Sequence, residues 1–338
     1  MSLDHTDPLH APWIARQTND LLAQGGHAWL LQGPSGLGQY ELALALVSAW
    51  LCEKPSQHGA CGACPSCHSM SVRTHADLEV LMPETVMIEL GWPLSEKAQD
   101  EIDKKTRKPS KEIRVDAMRD AVEFSQRTNA RGRGKAVLVY PAERMNTITA
   151  NALLKTLEEP PGDVRFVLAT EASHMLLPTI RSRCLAHTMK WPEADESLVW
   201  LTGQGMPSAI AQDLLRSAGG RPADVLRQAE SGLSPDWWAQ LPKAMIHGDA
   251  RHLTDLSPAQ AIDALQKLCH DLVLRHSGAE PRFFEKTQLP ASAASVMTLT
   301  DWSKRLMQAA RTSEHPFNAG LMLEAMTADA QQTLLSKG

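Results

Sequence analysis

The stretch His27-Ala-Trp-Leu-Leu-Gln-Gly33-Pro-Ser-Gly36-Leu-Gly38-Gln39-Tyr40 decides how the first half of the chain is read. His27 to Gln32 is a short apolar run with the character of a buried strand, Gly33 to Gly38 is a glycine-rich turn, and Glu41 to Leu51 is an apolar helix. Strand, glycine loop and helix in that order open a nucleotide-binding α/β domain. The glycines, Gly33, Gly36 and Gly38, let backbone N–H groups curl around phosphates, and the helix N-terminus adds a positive field. The spacing is that of GxxxxGK[ST], in which the Lys reaches the β/γ-phosphates and the Ser/Thr hydroxyl holds magnesium. Here Gln39 replaces the Lys and Tyr40 replaces the hydroxyl ligand. Gln is neutral and shorter, and Tyr puts a ring where a small hydroxyl must meet a metal. The plainer alternative, a tight turn in an unrelated fold, has to explain why strand and helix flank it correctly.

Leu78 to Leu81 and Lys135 to Tyr140 read as further strands, with a helix at Asp116 to Gln126 between them. Thr149 to Glu159 reads as a helix stopped by Pro160 and Pro161, and Arg165 to Thr170 as another strand. The alternation runs to about residue 188 and predicts a parallel sheet with helices on both faces. Ala136 to Tyr140 is the strand that should end in a magnesium-organising acid, but it runs into Pro141, with Glu143 two residues beyond. Three chemical groups are thus missing together, which predicts no hydrolysis. Residues 84–112 are polar, hold Pro93 and Pro109, and read as an insertion.

From Pro192 the strand signals vanish. Short helices are expected over 195–230 around Gly219 and Gly220, then long ones at 236–247, 258–276, 291–312 and 318–335. Boundaries fall near 189–193 and 231–236, so three domains are expected: 1–189, 190–232 and 233–338. At 338 residues and 43% hydrophobic content the chain can fill that many cores. It has no run of 18 apolar residues and no charged-then-apolar N-terminus, so neither a membrane span nor a secretory signal is expected, and the cytoplasm is the default.

Four of six cysteines cluster as Cys52-x8-Cys61-x2-Cys64-x2-Cys67. Two-residue spacing lets thiolates converge on one ion, and a tetrahedral zinc takes four. Disulfides are disfavoured in a cytosolic chain, and iron–sulfur ligation has no redox chemistry nearby to support it. A closed four-thiolate shell makes the expected zinc structural, with His58 and His68 as neighbours rather than ligands. The net charge of −5 argues against a chain that coats DNA by itself. Residues 104–135 nevertheless hold eleven Lys/Arg against four acids, which reads either as a phosphate-touching patch or as a solvated helical face.

With these residues in place, the chain resembles the delta-prime subunits of bacterial DNA polymerase III clamp loaders. The resemblance rests on His27-Ala-Trp-Leu-Leu, the four-cysteine insertion, Asn151-Ala-Leu-Leu-Lys-Thr-Leu-Glu-Glu-Pro-Pro161, Leu177-Pro-Thr-Ile-Arg-Ser-Arg-Cys184, and His315-Pro-Phe-Asn318 leading to Leu323-Glu324. It is weakest over 84–112 and 232–314. It implies an AAA+ architecture: an α/β nucleotide-binding-like domain, a small helical lid and an all-α collar. It also implies a subunit of the DNA polymerase III holoenzyme that does not hydrolyse ATP; with Gln39 and Tyr40 in the loop ATP is not expected to bind, while the backbone alone leaves open whether an anion or nucleotide is kept. Its partners would be the gamma/tau ATPase subunits, the delta subunit, the sliding clamp and, through the assembly, primed DNA. Ser182-Arg183-Cys184 matches the family motif whose arginine reaches a neighbour's ATP, so Arg183 is the expected arginine finger, with Arg181 in support. Without the motif, Arg183 would read as a surface salt-bridge partner. Ala152, Leu153 and Leu157 fall on an apolar stripe, while Lys155, Glu158 and Glu159 are candidates for subunit contacts. Arg221 sits where active relatives carry a nucleotide-sensing arginine. Two other readings compete: an atypical ATPase acting alone, and a zinc-containing DNA-binding module.

Overall fold

The computed structural model describes residues 11–290, 294–313 and 318–336. His315-Pro-Phe, and the first residues of the helix expected at 291–312, lie outside them. The chain divides into two compact units, Met1–Glu196 and Ser197–Gly338.

The first unit is built on strands β1 (Ala28–Gln32), β2 (Leu78–Leu81), β3 (Lys135–Val139), β4 (Val164–Thr170) and β5 (Leu185–Thr188). Among the described residues they form one parallel sheet in the order β2-β3-β4-β1-β5. The central strands β1, β3 and β4 are almost wholly buried, as expected of parallel strands covered on both faces. Alternation assigns the two faces. Leu30, Val137, Val139, Phe166 and Leu168 enter one cluster with Met118 and Ala121 of helix α6 (Val115–Gln126) and Leu153 and Leu157 of α7 (Thr147–Glu158). The intervening Leu31, Leu138 and Val167 are buried as well, and α2 (Gln39–Leu51) packs on the sheet through Leu42, Leu46 and Val47. Helix α1 (Pro12–Leu22) lies against α2 and buries Trp13, Ile14 and Leu21.

The remaining elements of this unit are short: α3 (Pro65–Ser71), α4 (Glu84–Glu89), α5 (Glu96–Asp103) and α8 (Pro178–Arg181). The polar stretch 84–112 is therefore more structured than its composition suggests. Its organiser is Glu84, whose side chain is only 9% exposed. It pairs with both Nη atoms of Arg107 and accepts from the Ser110 amide at 2.8 Å. Arg107 also donates through Nε to Glu101 at 2.6 Å. A buried carboxylate paired with a planar guanidinium replaces the apolar core that the segment lacks.

The second unit holds helices, beginning within α9 (Ala194–Gly203) and continuing through α10 (Ser208–Ser217), α11 (Pro222–Glu230), α12 (Pro235–His247), α13 (Pro258–His276), α14 (Val296–Arg311) and α15 (Ala319–Leu335). Their starts follow side-chain caps legible in the sequence. Ser234, Ser257, Ser295 and Asn318 each accept from the amide three residues on, and Ser257 with Gln260 forms a full capping box. Among the described residues no helix is long and apolar enough to cross a membrane.

Candidate functional site

The loop from Gly33 to Gly38 leaves the carboxyl end of β1, next to β4 and β5, where open parallel sheets place their ligand crevice. Gly36 and Gly38 have φ of 78° and 92°, the left-handed region that favours glycine. Packing adds a second demand: a Cβ on Gly38 would lie 2.7 Å from Ile14 Cδ1, and one on Gly33 would lie 2.9 Å from Met189 Cβ. The Trp13 indole N–H donates to Leu37 O at 3.1 Å, so α1 clasps the loop from outside.

The substituted residues fill this frame. Gln39 is 2% exposed, and its Nε2 donates to the carbonyls of Gly33 and Pro34, both at 2.7 Å. The side chain in the lysine position therefore closes the loop on itself. Tyr40 is also buried, and its hydroxyl accepts from the Trp92 indole N–H at 2.7 Å. Its ring lies 5.3 Å from that of Tyr140. Burial pushes the Tyr40 phenol above its ordinary pKa, which keeps it neutral. A neutral aromatic group thus occupies the position of the metal-binding hydroxyl. At the end of β3, Glu143 accepts from Thr170 Oγ1 at 2.7 Å and from the Glu171 amide at 3.2 Å. That carboxylate ties the ends of two strands together.

The four cysteines come together as their spacing predicts. Cys52 caps the end of α2, and Cys64 caps the start of α3 with its sulfur accepting from the Cys67 amide at 3.4 Å. The sulfurs of Cys52 and Cys64 are 3.8 Å apart, Cys61 and Cys67 3.9 Å, Cys64 and Cys67 3.5 Å, and Cys52 and Cys67 3.7 Å. A metal–sulfur distance of about 2.3 Å in a tetrahedron gives edges of about 3.8 Å, so this donor set fits one tetrahedral ion. Burial raises the Cys64 thiol, but the Cys67 and Glu53 amides and neighbouring thiols outweigh it and bring it down to about 6. His68 is exposed and lies outside the four-sulfur group. The cluster is tied to the domain by Glu53, which accepts from Ser66 Oγ and from Arg131, both at 3.1 Å.

Arg183 follows α8 and is partly covered. Its Nη2 donates to Glu158 at the end of α7, and its Nη1 donates to Thr179 O at 2.9 Å. Two segments singled out separately in the sequence, Asn151–Pro161 and Leu177–Cys184, are thus joined by one ion pair. Arg181 is exposed. In the second unit, Arg221 caps α11 and donates to Ala218 O at 2.8 Å, with Asp224 at 3.0 Å. It is occupied in holding that helix start.

The basic stretch 104–135 is largely neutralised. Lys104, Arg107, Arg114, Arg119, Arg127 and Arg131 all have acidic partners, and Lys135 is buried over the Phe124 ring. This favours the solvated helical face over a phosphate-binding patch. Sequence reasoning missed Trp92, which carries no periodic signal inside a polar insertion, and it offered Glu158 as a subunit-contact candidate without linking it to Arg183.

These features describe a P-loop-type α/β chain, with a five-stranded parallel sheet, whose phosphate loop is closed by its own side chains. Comparison with known proteins narrows it. The family model described as DNA polymerase III, delta subunit, matches residues 16–192, just over half the chain. The chain is 38% identical over 213 residues to DNA polymerase III subunit delta' of Pseudomonas aeruginosa, covering 62% of this chain and 58% of that one. It is 32% identical over 293 residues to subunit delta' of Escherichia coli, covering 79% and 77% respectively. Subunit tau of Escherichia coli is 33% identical over 164 residues, covering 48% of this chain and 22% of tau. Among solved structures, a DNA polymerase III gamma subunit-related protein of Thermotoga maritima aligns over 97% of this chain and 99% of that one, with 17% identity and a TM-score of 0.49. The chain belongs to the delta-prime family of DNA polymerase III subunits.

Proposed function

We propose that the chain is the non-hydrolysing delta-prime subunit of a DNA polymerase III clamp loader. In that role it works with gamma/tau ATPase subunits and a delta subunit to place a sliding clamp on primed DNA. The observation that carries the reading is the filled loop: Gln39 bonds the loop's own carbonyls, and Tyr40 packs with Trp92 and Tyr140. ATP is then neither held nor cleaved by this chain. Arg183 acts in trans, where a planar guanidinium neutralises charge on a neighbour's phosphoryl group.

Cys52, Cys61, Cys64 and Cys67 would hold a zinc ion, which supplies a structural cross-link and leaves no open position for chemistry. The second unit further divides into a lid up to residue 232 and a collar beyond it that joins the subunits. A cytoplasmic location goes with replication. The test is reconstitution with gamma/tau, delta and clamp, with ATP turnover measured for the isolated chain and for complexes holding wild-type or Arg183→Ala chain. ATP turnover by the isolated chain at an ordinary enzymatic rate would return the reading to an atypical ATPase.

A further inference from the structure

We infer that Glu158 is a positioning residue for Arg183, an inference that rests on the in-trans reading of that arginine. The two segments are separated in sequence, yet the Glu158 carboxylate meets Arg183 Nη2. On its other side Arg183 Nη1 donates to Thr179 O at 2.9 Å, with Ser182 Oγ at 3.5 Å. The guanidinium is therefore gripped from two elements, the end of α7 and the end of α8. Its Nε is buried and has no hydrogen-bond partner, so the stem is held by packing while the fork is held by bonds.

A free arginine side chain samples many rotamers. Much of that freedom must be lost before a guanidinium can meet a phosphate in one geometry. Here the loss occurs within the chain, before any partner arrives. Of the five N–H donors of a guanidinium, that on Nε is buried, the two on Nη1 face Thr179 O and Ser182 Oγ, and Glu158 takes one on Nη2, which leaves the second Nη2 N–H for a phosphoryl oxygen. Glu158 is itself half exposed, so the pair sits at the surface where a neighbour could reach it. Lys155, one turn earlier on α7, extends the same exposed strip. The proline pair Pro160-Pro161 ends α7 just beyond Glu158 and fixes where the carboxylate emerges.

A carboxylate beside a guanidinium that serves ATP is a compromise. It orients the cation but offsets part of its charge, so the benefit is geometric and should be seen in turnover rather than in nucleotide affinity. The experiment is a double-mutant cycle in the reconstituted complex, with Glu158→Ala, Glu158→Gln and Arg183→Ala. Glu158→Ala is expected to lower kcat roughly fivefold, the scale of one oriented ion pair, with KM for ATP little changed. Glu158→Gln, which keeps an acceptor oxygen, should recover part of that loss. In the Arg183→Ala background Glu158→Ala should have no further effect. A faster complex with Glu158→Ala, an unchanged one, or an equal loss with and without Arg183 would each overturn the proposal. If Arg183→Ala itself leaves turnover intact, the in-trans reading fails instead, so the two failures are distinguishable.

Discussion

The Trp92 indole donates to the Tyr40 hydroxyl at 2.7 Å, linking the polar insertion to the first turn of the helix behind the phosphate loop. The hydroxyl position that serves metal in working P-loops serves packing here. Trp92→Phe leaves a buried phenol unpartnered and is expected to cost about 1–3 kcal/mol. Tyr40→Phe in the Trp92→Phe background should restore part of this. Urea unfolding of the four cycle members measures it, and strictly additive losses would contradict the coupling.

Glycine at position 38 is required twice, by its φ of 92° and by Ile14 Cδ1, which would stand 2.7 Å from any Cβ there. Gly38→Ala should therefore destabilise the chain by about 1–3 kcal/mol with no nucleotide present. Equal denaturant midpoints for variant and wild type would show that the loop tolerates a side chain at this position.

The cysteine cluster should carry one zinc per chain by elemental analysis. Removing the metal with a strong chelator, or replacing Cys64 with Ser, should lower the thermal midpoint, because binding free energy at such a site is folding free energy. Four free thiols with unchanged stability after chelation would remove the metal from the account.

Acid should loosen the insertion through Glu84. The hydrogen bond from Arg107, opposed by burial and helped by the Ser110 amide, holds its carboxyl below the ordinary value. A depressed carboxylate contributes stability that is complete above its unfolded pKa of about 4.3 and is lost as pH falls through the lower folded value. The Glu84→Gln variant should be about 1–3 kcal/mol less stable at neutral pH and should lose less between pH 6 and pH 3 than wild type. Parallel pH curves for the two proteins would contradict this.

Much of the first unit was legible because its signals are local and periodic. Runs such as Ala136–Val139 and Phe166–Ala169, rich in Val and Leu and alternating with helical stretches, read as buried strands, and the Gly33–Gly38 loop marks which strand leads into which helix. The four cysteines were legible because ligand spacing is itself geometric. What escaped was long-range pairing. Nothing adjacent to Trp92 points to Tyr40, 52 residues away, and nothing adjacent to Glu158 points to Arg183. The structure in 84–112 was hidden because a buried ion pair, Glu84 with Arg107, takes the place usually held by apolar side chains. The positive charge counted over 104–135 likewise overstated the patch, since composition does not reveal that most of those side chains have acidic partners.

In the proposed role the chain has given up its own ATP chemistry while serving a neighbour's. The most direct test is ATP turnover, in response to clamp and primed DNA, by complexes reconstituted with wild-type or Arg183→Ala chain. No turnover is expected from the isolated chain, and Arg183→Ala should cost roughly tenfold or more at the site Arg183 faces, conservative for an arginine supplied in trans. Equal turnover by the two complexes would contradict it.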